Sequence, residues 1–399
     1  MQMPLGLYIS VPFCKTKCTY CNFASDVFSR AVFDRYIDRV CGEIEHATET
    51  AEQMGSLIER SVDSIYLGGG TPTLLEVAQL ERLFVTISQN FAVEGEAEIT
   101  VECAPGTLTP PVLEALQRCG VNRVSLGVQS FVDKEAASVG RLHNRDIVFA
   151  DIESLRVAGI SNINLDIIAG LPHQTCQSWE ISLHELLATG VPHASIYMLE
   201  VDEDSRLGRE LIAGGQKYHA HFVPDDDLTA DFYEAGCERL NSAGIEQYEI
   251  SNFARPDFQS KHNLKYWTRQ PYLGFGVDAH SMLHSVTGQS AIRFSNSDAL
   301  EKYVAGAPRN ITVVSAEAGL QEAFFLGLRL NRGVDIKEAE RNFGAGAVAS
   351  YSETISELVS SKLLESEDAI IRLTPQGRLL SNEVFERFIS IESPAAIAP

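Results

Sequence analysis

Three of the eight cysteines crowd into one eight-residue run, Cys14-Lys15-Thr16-Lys17-Cys18-Thr19-Tyr20-Cys21, a C-x3-C-x2-C spacing in a loop that follows an apolar strand candidate. Thiolates so spaced wrap one face of a cubane iron–sulfur cluster, and three ligands for four irons leave one iron open. An open iron is what the amino and carboxylate groups of S-adenosylmethionine (SAM) need. An electron passed from the cluster then breaks a carbon–sulfur bond and releases a 5′-deoxyadenosyl radical. Two plainer readings compete. A zinc site normally takes four ligands arranged as two pairs, and no second Cys pair or nearby C-x-x-C/H-x3-H pattern supplies the rest. A redox-active C-x-x-C leaves the third cysteine unexplained. The remaining thiols, Cys41, Cys103, Cys119, Cys176 and Cys237, are scattered, and single cysteines ordinarily serve as small buried hydrophobes.

Other residues of unusual type recur after the cysteines: Gly68-Gly69-Gly70-Thr71, then Glu102, Gln129 and Asp166. What gathers them is an alternation of short β-branched runs, at 7–11, 64–67, 97–102, 123–127, 164–168 and 195–199, with helically spaced segments at 33–53, 76–90, 111–119, 146–158 and 178–188. Strand and helix in strict turn imply a parallel sheet. Six such units without a dinucleotide glycine fingerprint favour an α/β fold of the open or partial (β/α) barrel type, whose functional residues collect at the strands' C-terminal ends. The cysteines, the glycines, Glu102, Gln129 and Asp166 all fall at or near such ends.

The expected division is a barrel core over residues 1–201, a connecting region over 202–311 and a small C-terminal module over 312–399. In the middle stretch, Asp225-Asp226-Asp227 reads as the N-terminal cap of a helix at 228–243 rather than as a metal site. The tail shows helical segments at 316–328, 336–343, 348–363 and 378–388 around short runs near 370–373, a winged-helix-like pattern that, without a basic face, is expected to pack on the barrel or on a protein partner.

Bulk properties remove whole classes of function. The chain has 399 residues, more than one typical domain of about 150. With 45% hydrophobic and 22% charged residues it has ordinary globular composition. A net charge of −22 disfavours a surface that must neutralise nucleic-acid phosphates. No run approaches the roughly 18 apolar residues that cross a bilayer, and the first residues lack signal-peptide character, so a cytoplasmic location is expected and membrane association is not encoded by a transmembrane segment.

Four strings bring a family into view: Tyr8-Ile9-Ser10-Val11-Pro12-Phe13-Cys14, Gly68-Gly69-Gly70-Thr71-Pro72-Thr73, Gly127-Val128-Gln129-Ser130-Phe131 and Leu165-Asp166-Ile167-Ile168-Ala169-Gly170-Leu171-Pro172. They resemble the oxygen-independent coproporphyrinogen III oxidase superfamily of radical SAM proteins, over nearly the whole chain. Within it, His262-Asn263-Leu264-Lys265-Tyr266-Trp267 resembles the HNxxYW signature of the HemW branch, a family of haem chaperones, which the true oxidases lack. Phe23 stands where those oxidases place a further cysteine, and the chain starts only a few residues before its first strand, where they have a longer segment. Both departures speak against decarboxylation of a porphyrinogen.

The resemblance implies a [4Fe-4S] cluster on Cys14, Cys18 and Cys21, with Tyr8 beside the bound SAM. Gly69, Gly70 and Thr71 are expected to meet its amino-acid portion, and Glu102 its ribose, where a carboxylate bonded to adjacent hydroxyls is charge-assisted. On its own, Gly-Gly-Gly is equally a tight turn. Tyr20, Gln129, Arg141 and Asp166 match further SAM-contacting positions; Arg141 suits a carboxylate and Asp166 a ribose or amine, while either also reads as half of a barrel ion pair. His262 is the expected haem contact, flanked by Tyr266 and Trp267, with His280 in the looser Gly274–Ser281 stretch as a secondary candidate; the alternative is a histidine satisfied by packing. The function implied is binding of haem and its transfer to an acceptor protein, with SAM and the cluster enabling or regulating the step. The rival is a radical SAM oxidase or methyltransferase acting on a tetrapyrrole.

Overall fold

Polar and apolar residues alternate along the strands that form the centre of the molecule: β1 (Leu5–Val11), β2 (Ser61–Gly69), β3 (Ala92–Cys103), β4 (Arg123–Gln129), β5 (Asn162–Ala169) and β6 (His193–Met198). These residues come from a computed structural model that describes 3–56, 58–286 and 290–389, so residues 1–2 and 390–399 of the expected outer units lie outside it. The strands pair side by side and in parallel from β1 to β6. Side chains of a strand alternate between faces. One face therefore holds Leu7, Ile9, Leu67, Val101, Leu126, Leu165 and Ile196, all fully buried. The other holds Tyr8, Ser10, Tyr66, Thr100, Glu102, Arg123, Ser125, Asn164, Asp166, His193 and Ser195.

A parallel sheet covered by apolar layers on both sides reads as continuous hydrophobic runs. Here only the outer face is apolar, and it is covered by helices Phe33–Glu45, Val77–Asn90, Pro110–Arg118, Arg145–Val157 and Cys176–Thr189. Each large aliphatic side chain buried between them contributes roughly 1.5–3 kcal/mol. Local signals set the helix ends. Asn144 accepts from the Ile147 amide, Thr175 and Ser178 form a reciprocal cap, and Gly190 closes its helix in the left-handed region. The segment expected as one helix at 33–53 is two, broken at His46, whose Nδ1 takes the Gly42 carbonyl at 2.8 Å.

The stretch 202–311 does not form a separate linker; it widens the same sheet at both edges. β7 (Glu246–Gln247) and β8 (Asn252–Ala254) add antiparallel strands beyond β6. On the other side β9 (Tyr272–Phe275) lies parallel to β1, followed by antiparallel β10 (His280–His284), β11 (Ala291–Ser295) and β12 (Asn310–Val314). Phe232, Phe253, Phe275 and Phe294 join the core of the first six strands. Asp225 caps helix Asp226–Ser242 by accepting from the Leu228 amide at 2.9 Å, as the sequence predicted.

After β12, helix Ala316–Gly327 leads to a small antiparallel sheet of β13 (Val334–Asp335), β14 (Leu364–Glu367) and β15 (Ile370–Leu373). Its helices enclose a second core around Phe324, Leu358, Ile371 and Phe388, which takes in Ile250 from the barrel side. The expected helix at 348–363 is shared between Ala345–Ala349 and Ser352–Ser360. Among the described residues no helix is long and apolar enough to cross a membrane.

Candidate functional site: the mouth of the barrel

Parallel strands deliver their C-terminal ends to one rim, and the three clustered cysteines leave β1 at that rim. The loop that bears them is closed at its base, where Cys14 and Asp26 exchange backbone bonds with the strand: the Cys14 amide donates to Asp26 O (2.9 Å) and the Asp26 amide to Pro12 O (3.0 Å). Thr19 N donates to Val139 O, Thr16 Oγ1 to Gly140 O and Leu207 N to Thr19 O, so the loop is braced from two neighbouring segments. Burial pushes the Cys14 and Cys21 thiols up, and both are bonded by the Ser25 hydroxyl. Cys14 and Cys21 each also feel the charge of Cys18. Among the described residues no three Cys, His, Asp or Glu converge on a single point as a bare ion requires. A cubane, gripped through separate irons, does not need that convergence.

Beside the thiols the rim presents polar groups with capacity to spare. Arg141 donates through Nη1 to Cys18 Sγ (3.6 Å) and through Nη2 to Gly127 O, while its Nε is buried without a partner in the protein. A guanidinium fork so placed has one edge left for a carboxylate. Gln129 stands in the left-handed region (φ 68°) at a β4 irregularity, which turns it toward Gly127 and Arg141. Tyr20 packs with Val139, Ile168 and Leu171, its phenol pushed up by burial and by Cys18. Gly70 could not be any other residue: a Cβ there would lie 2.6 Å from Val11 O and 2.8 Å from Phe13 O. The Thr71 amide in turn donates to Phe13 O at 2.8 Å.

Glu102 is the half-buried carboxylate of the rim. Tyr66 donates to its Oε1 at 2.9 Å and the Gly69 amide to its Oε2 at 3.1 Å. Burial, reinforced by Asp166, nonetheless pushes its pKa up to about 7. Asp166 is held by Ser125 Oγ (2.9 Å) and Asn164 Nδ2 (2.8 Å). Tyr8 stacks near Tyr66 at 6.2 Å, and burial followed by Glu102 raises its phenol. The structure thus brings Tyr8, Gly69, Gly70, Thr71, Glu102, Gln129, Arg141 and Asp166 to the rim that bears the cysteines.

His262 is placed deeper. It belongs to helix Lys261–Trp267, which packs beneath the rim against Ser64 of β2 and Glu98 of β3, with the imidazole 5.4 Å from the Tyr66 ring and 6.4 Å from that of Tyr8. Ser260, Lys261 and His262 all bond Glu98, and Lys265 Nζ reaches Asp63 at 2.7 Å and Pro4 O at 2.8 Å. The His262 ring is 1% exposed, with Nδ1 3.1 Å from Ser64 Oγ and Nε2 2.8 Å from Tyr266 Oη. Burial, then Lys265, lowers its pKa to about 3, so the imidazole is neutral. A neutral imidazole has one donor and one acceptor, and both are used. Both ring nitrogens of His262 are thus held by side chains of the fold, the arrangement that the packing alternative expects. The flanking aromatics are occupied too, Tyr266 against Tyr272 (4.6 Å) and Trp267 beneath the Arg329 guanidinium (4.3 Å).

Three contributors went unread in the sequence. Tyr66 and Ser25 look like ordinary strand and loop residues, and only register opposite Tyr8 or proximity to two thiols reveals them. Asp278 lines the same small pocket as Tyr8, Ser10, Phe23 and Gly69. It comes from the turn between β9 and β10, more than a hundred residues beyond β4, and its one local signal is a carboxylate in a glycine-rich run.

Comparisons agree with this architecture. Residues 8–186 match the Radical SAM superfamily and residues 314–380 the HemN C-terminal domain. The chain is 34% identical over 393 residues to a protein of Lactococcus lactis named Heme chaperone HemW, covering 98% of each, and 33% identical to its namesake in Bacillus subtilis, covering 96% of this chain and 98% of that one. In fold it is similar to the coproporphyrinogen III oxidase of Escherichia coli, with a TM-score of 0.82 at 24% identity over 97% of this chain and 90% of that chain. The superfamily implies a [4Fe-4S] cluster and SAM as resident cofactors, and the three-thiol loop with its neighbouring unpaired guanidinium edge fits them. By sequence over 98% of its length, the chain belongs to the HemW family of radical SAM proteins.

Proposed function

We propose that this protein binds haem and passes it to an acceptor apoprotein, with a [4Fe-4S] cluster on Cys14, Cys18 and Cys21 and SAM at the barrel mouth enabling or regulating the transfer. The carrying observation is likeness over 98% of the chain to a relative named a haem chaperone, joined to Phe23, an exposed ring at the pocket where the oxidases extend their cysteine motif. In this reading Arg141 takes the SAM carboxylate and Gly69, Gly70 and Thr71 flank its amino-acid portion. Glu102 accepts from ribose hydroxyls, Asp166 accepts from ribose or amine, and Tyr8, Tyr20 and Gln129 close the pocket around it. The cluster supplies the electron for reductive cleavage when SAM is bound. The work is placed in the cytoplasm, with no nucleic-acid partner.

The test is anaerobic reconstitution of the full chain, loading with haem, and mixing with apomyoglobin while the Soret band is followed. Transfer at a rate above that of free haem release supports the proposal. A parallel incubation with SAM, reductant and coproporphyrinogen III is expected to leave the porphyrinogen unchanged; formation of protoporphyrinogen would overturn the proposal in favour of the oxidase.

A further inference from the structure

Each sulfur of the cysteine loop meets a donor. Cys18 takes the Arg141 guanidinium through Nη1 at 3.6 Å. Cys14 is reached by the hydroxyls of Ser25 and Thr71, and Cys21 by the Phe23 amide and again by Ser25, whose Oγ stands 3.9 Å from Cys21 Sγ. Ser25 is thus shared between two of the three thiols.

The placement is costly for a hydroxyl between neutral partners. Ser25 is 2% exposed, and a buried hydroxyl left short of a hydrogen bond destabilises the fold. The sulfur of a neutral thiol is a weak acceptor, and 3.9 Å is long for a bond between two uncharged groups. A thiolate is a strong acceptor, and a bond to a charged partner is both shorter and stronger. The position becomes favourable once Cys14 and Cys21 carry the negative charge that metal ligation gives a thiol.

We infer that Ser25, donating its hydroxyl to the thiolates of Cys14 and Cys21, sets the reduction potential of the cluster that those thiolates hold. This rests on the cluster reading above and adds a residue that acts through the ligands. Reduction adds an electron to a cluster whose sulfurs are already negative. A hydrogen bond to sulfur draws density away and favours the reduced form, so the potential rises. The neighbourhood opposes the electron, because Glu102, Asp166 and Asp278 bring carboxylates to the mouth of a chain with net charge −22, and Asp278 lines the same small pocket as Ser25. A donor at the thiolates offsets that opposition.

The loop holds Ser25 in place without using its hydroxyl. The Ser25 amide donates to Phe23 O at 2.7 Å, and the same carbonyl takes Lys17 Nζ at 3.3 Å. Ala24 packs against the core, and on the other side Asp26 bridges to Phe13 of the chain leaving β1. With the backbone tied on both sides, removing Oγ leaves the bonds that shape the loop intact. The effect on the cluster is therefore separable from its assembly.

The experiment poises the SAM-free, full-length protein, its cluster reconstituted anaerobically, at a series of potentials and reads the reduced cluster by EPR. Ser25→Ala is expected to keep wild-type iron and sulfide and to lower the potential by the equivalent of a threefold to tenfold change in the reduction equilibrium, about 28–59 mV for one electron. Ser25→Thr, which retains the hydroxyl, is expected to titrate as wild type does. Where the alanine variant loses its cluster, Ser25→Gly is titrated in its place with the same expected shift. A cluster-replete variant without the hydroxyl whose potential does not fall overturns the inference, and so does a fall that Ser25→Thr fails to reverse. Loss of the cluster from both hydroxyl-free variants also overturns it, since the residue then builds the site instead of tuning it. A wild-type protein that assembles no cluster overturns the cluster reading itself, a result distinct from an unshifted Ser25→Ala.

Discussion

The two ends of one barrel are wired for opposite purposes. At the floor, Glu98, His262 and Lys265 lie 1–6% exposed and their polar atoms are largely spent on one another and on Ser64, Asp63 and Tyr266, with Arg123 Nε and Trp267 Nε1 left buried without a hydrogen-bond partner. At the mouth, Arg141 keeps an unpartnered Nε, Glu102 is pushed above the usual carboxylate range, and Asp278 and His280 face solvent. Buried polar groups that satisfy one another hold a fold together, whereas groups left short at a concave rim have free energy to offer a ligand. The same strands build both ends, since parallel pairing puts every start at one side and every finish at the other.

The comparison is broken most severely by changing a cysteine. Cys18→Ser is expected to reduce reconstituted iron and sulfide to near zero and to abolish SAM-dependent changes in the cluster EPR; a full cluster in that variant would remove the mouth from consideration. At the floor, His262→Ala leaves a void and two unmatched hydroxyls, for an expected loss of about 2–4 kcal/mol in urea unfolding. The haem titration of the folded variant should be unchanged, and the opposite pair of results would reverse the assignment of floor and mouth. Arg141→Lys, which keeps the charge but not the fork, should weaken SAM binding about tenfold, roughly 1.4 kcal/mol, with cluster content retained.

The smallest expected effect is a pH slope. The Glu102 carboxyl titrates near 7 in the folded protein against an ordinary 4.5, so the SAM-free fold binds an extra proton between those values. Its contribution is complete below about 4.5 and is lost as pH climbs through about 7. SAM affinity should rise over the same interval as the better acceptor, the carboxylate, forms. Glu102→Gln should flatten both profiles, measured by thermal unfolding and equilibrium SAM binding from pH 5 to 8. A wild-type slope surviving in the variant would assign it to another group.

Much of the mouth was legible because its signals are local. The cysteine spacing, the glycine run and the strand-end carboxylates each lie within a few residues of a strand whose C-terminal end periodicity locates to within about two residues, as with β5 expected at 164–168 and found at Asn162–Ala169, although β3, expected from 97, begins at Ala92. One available signal separating a partial barrel from a doubly wound sheet is the alternation itself: Asn162-Ile163-Asn164-Leu165-Asp166-Ile167 has a polar face that a sheet buried on both sides would not show. The stretch 202–311 was harder. Its strands have two to five residues, too few for a period to register, and β9 owes its parallel place beside β1 to tertiary pairing alone.

His262 shows where reading from residue type stops. A histidine among aromatics looks alike whether it ligates iron or fills a core, because the difference lies in which end of the barrel receives it and whether Ser64 and Tyr266 arrive at its nitrogens. The order of residues alone determined the thiol trio, the alternation that makes a sheet with one polar face, and the glycine at position 70, where a side chain would collide with Val11 and Phe13. Only the folded chain decided which polar groups were satisfied and which were left wanting. Hydrogen-bond partners 162 to 261 residues apart meet there through strand register and helix packing, as Glu98 with Ser260 and Pro4 with Lys265 do, and no local pattern encodes them.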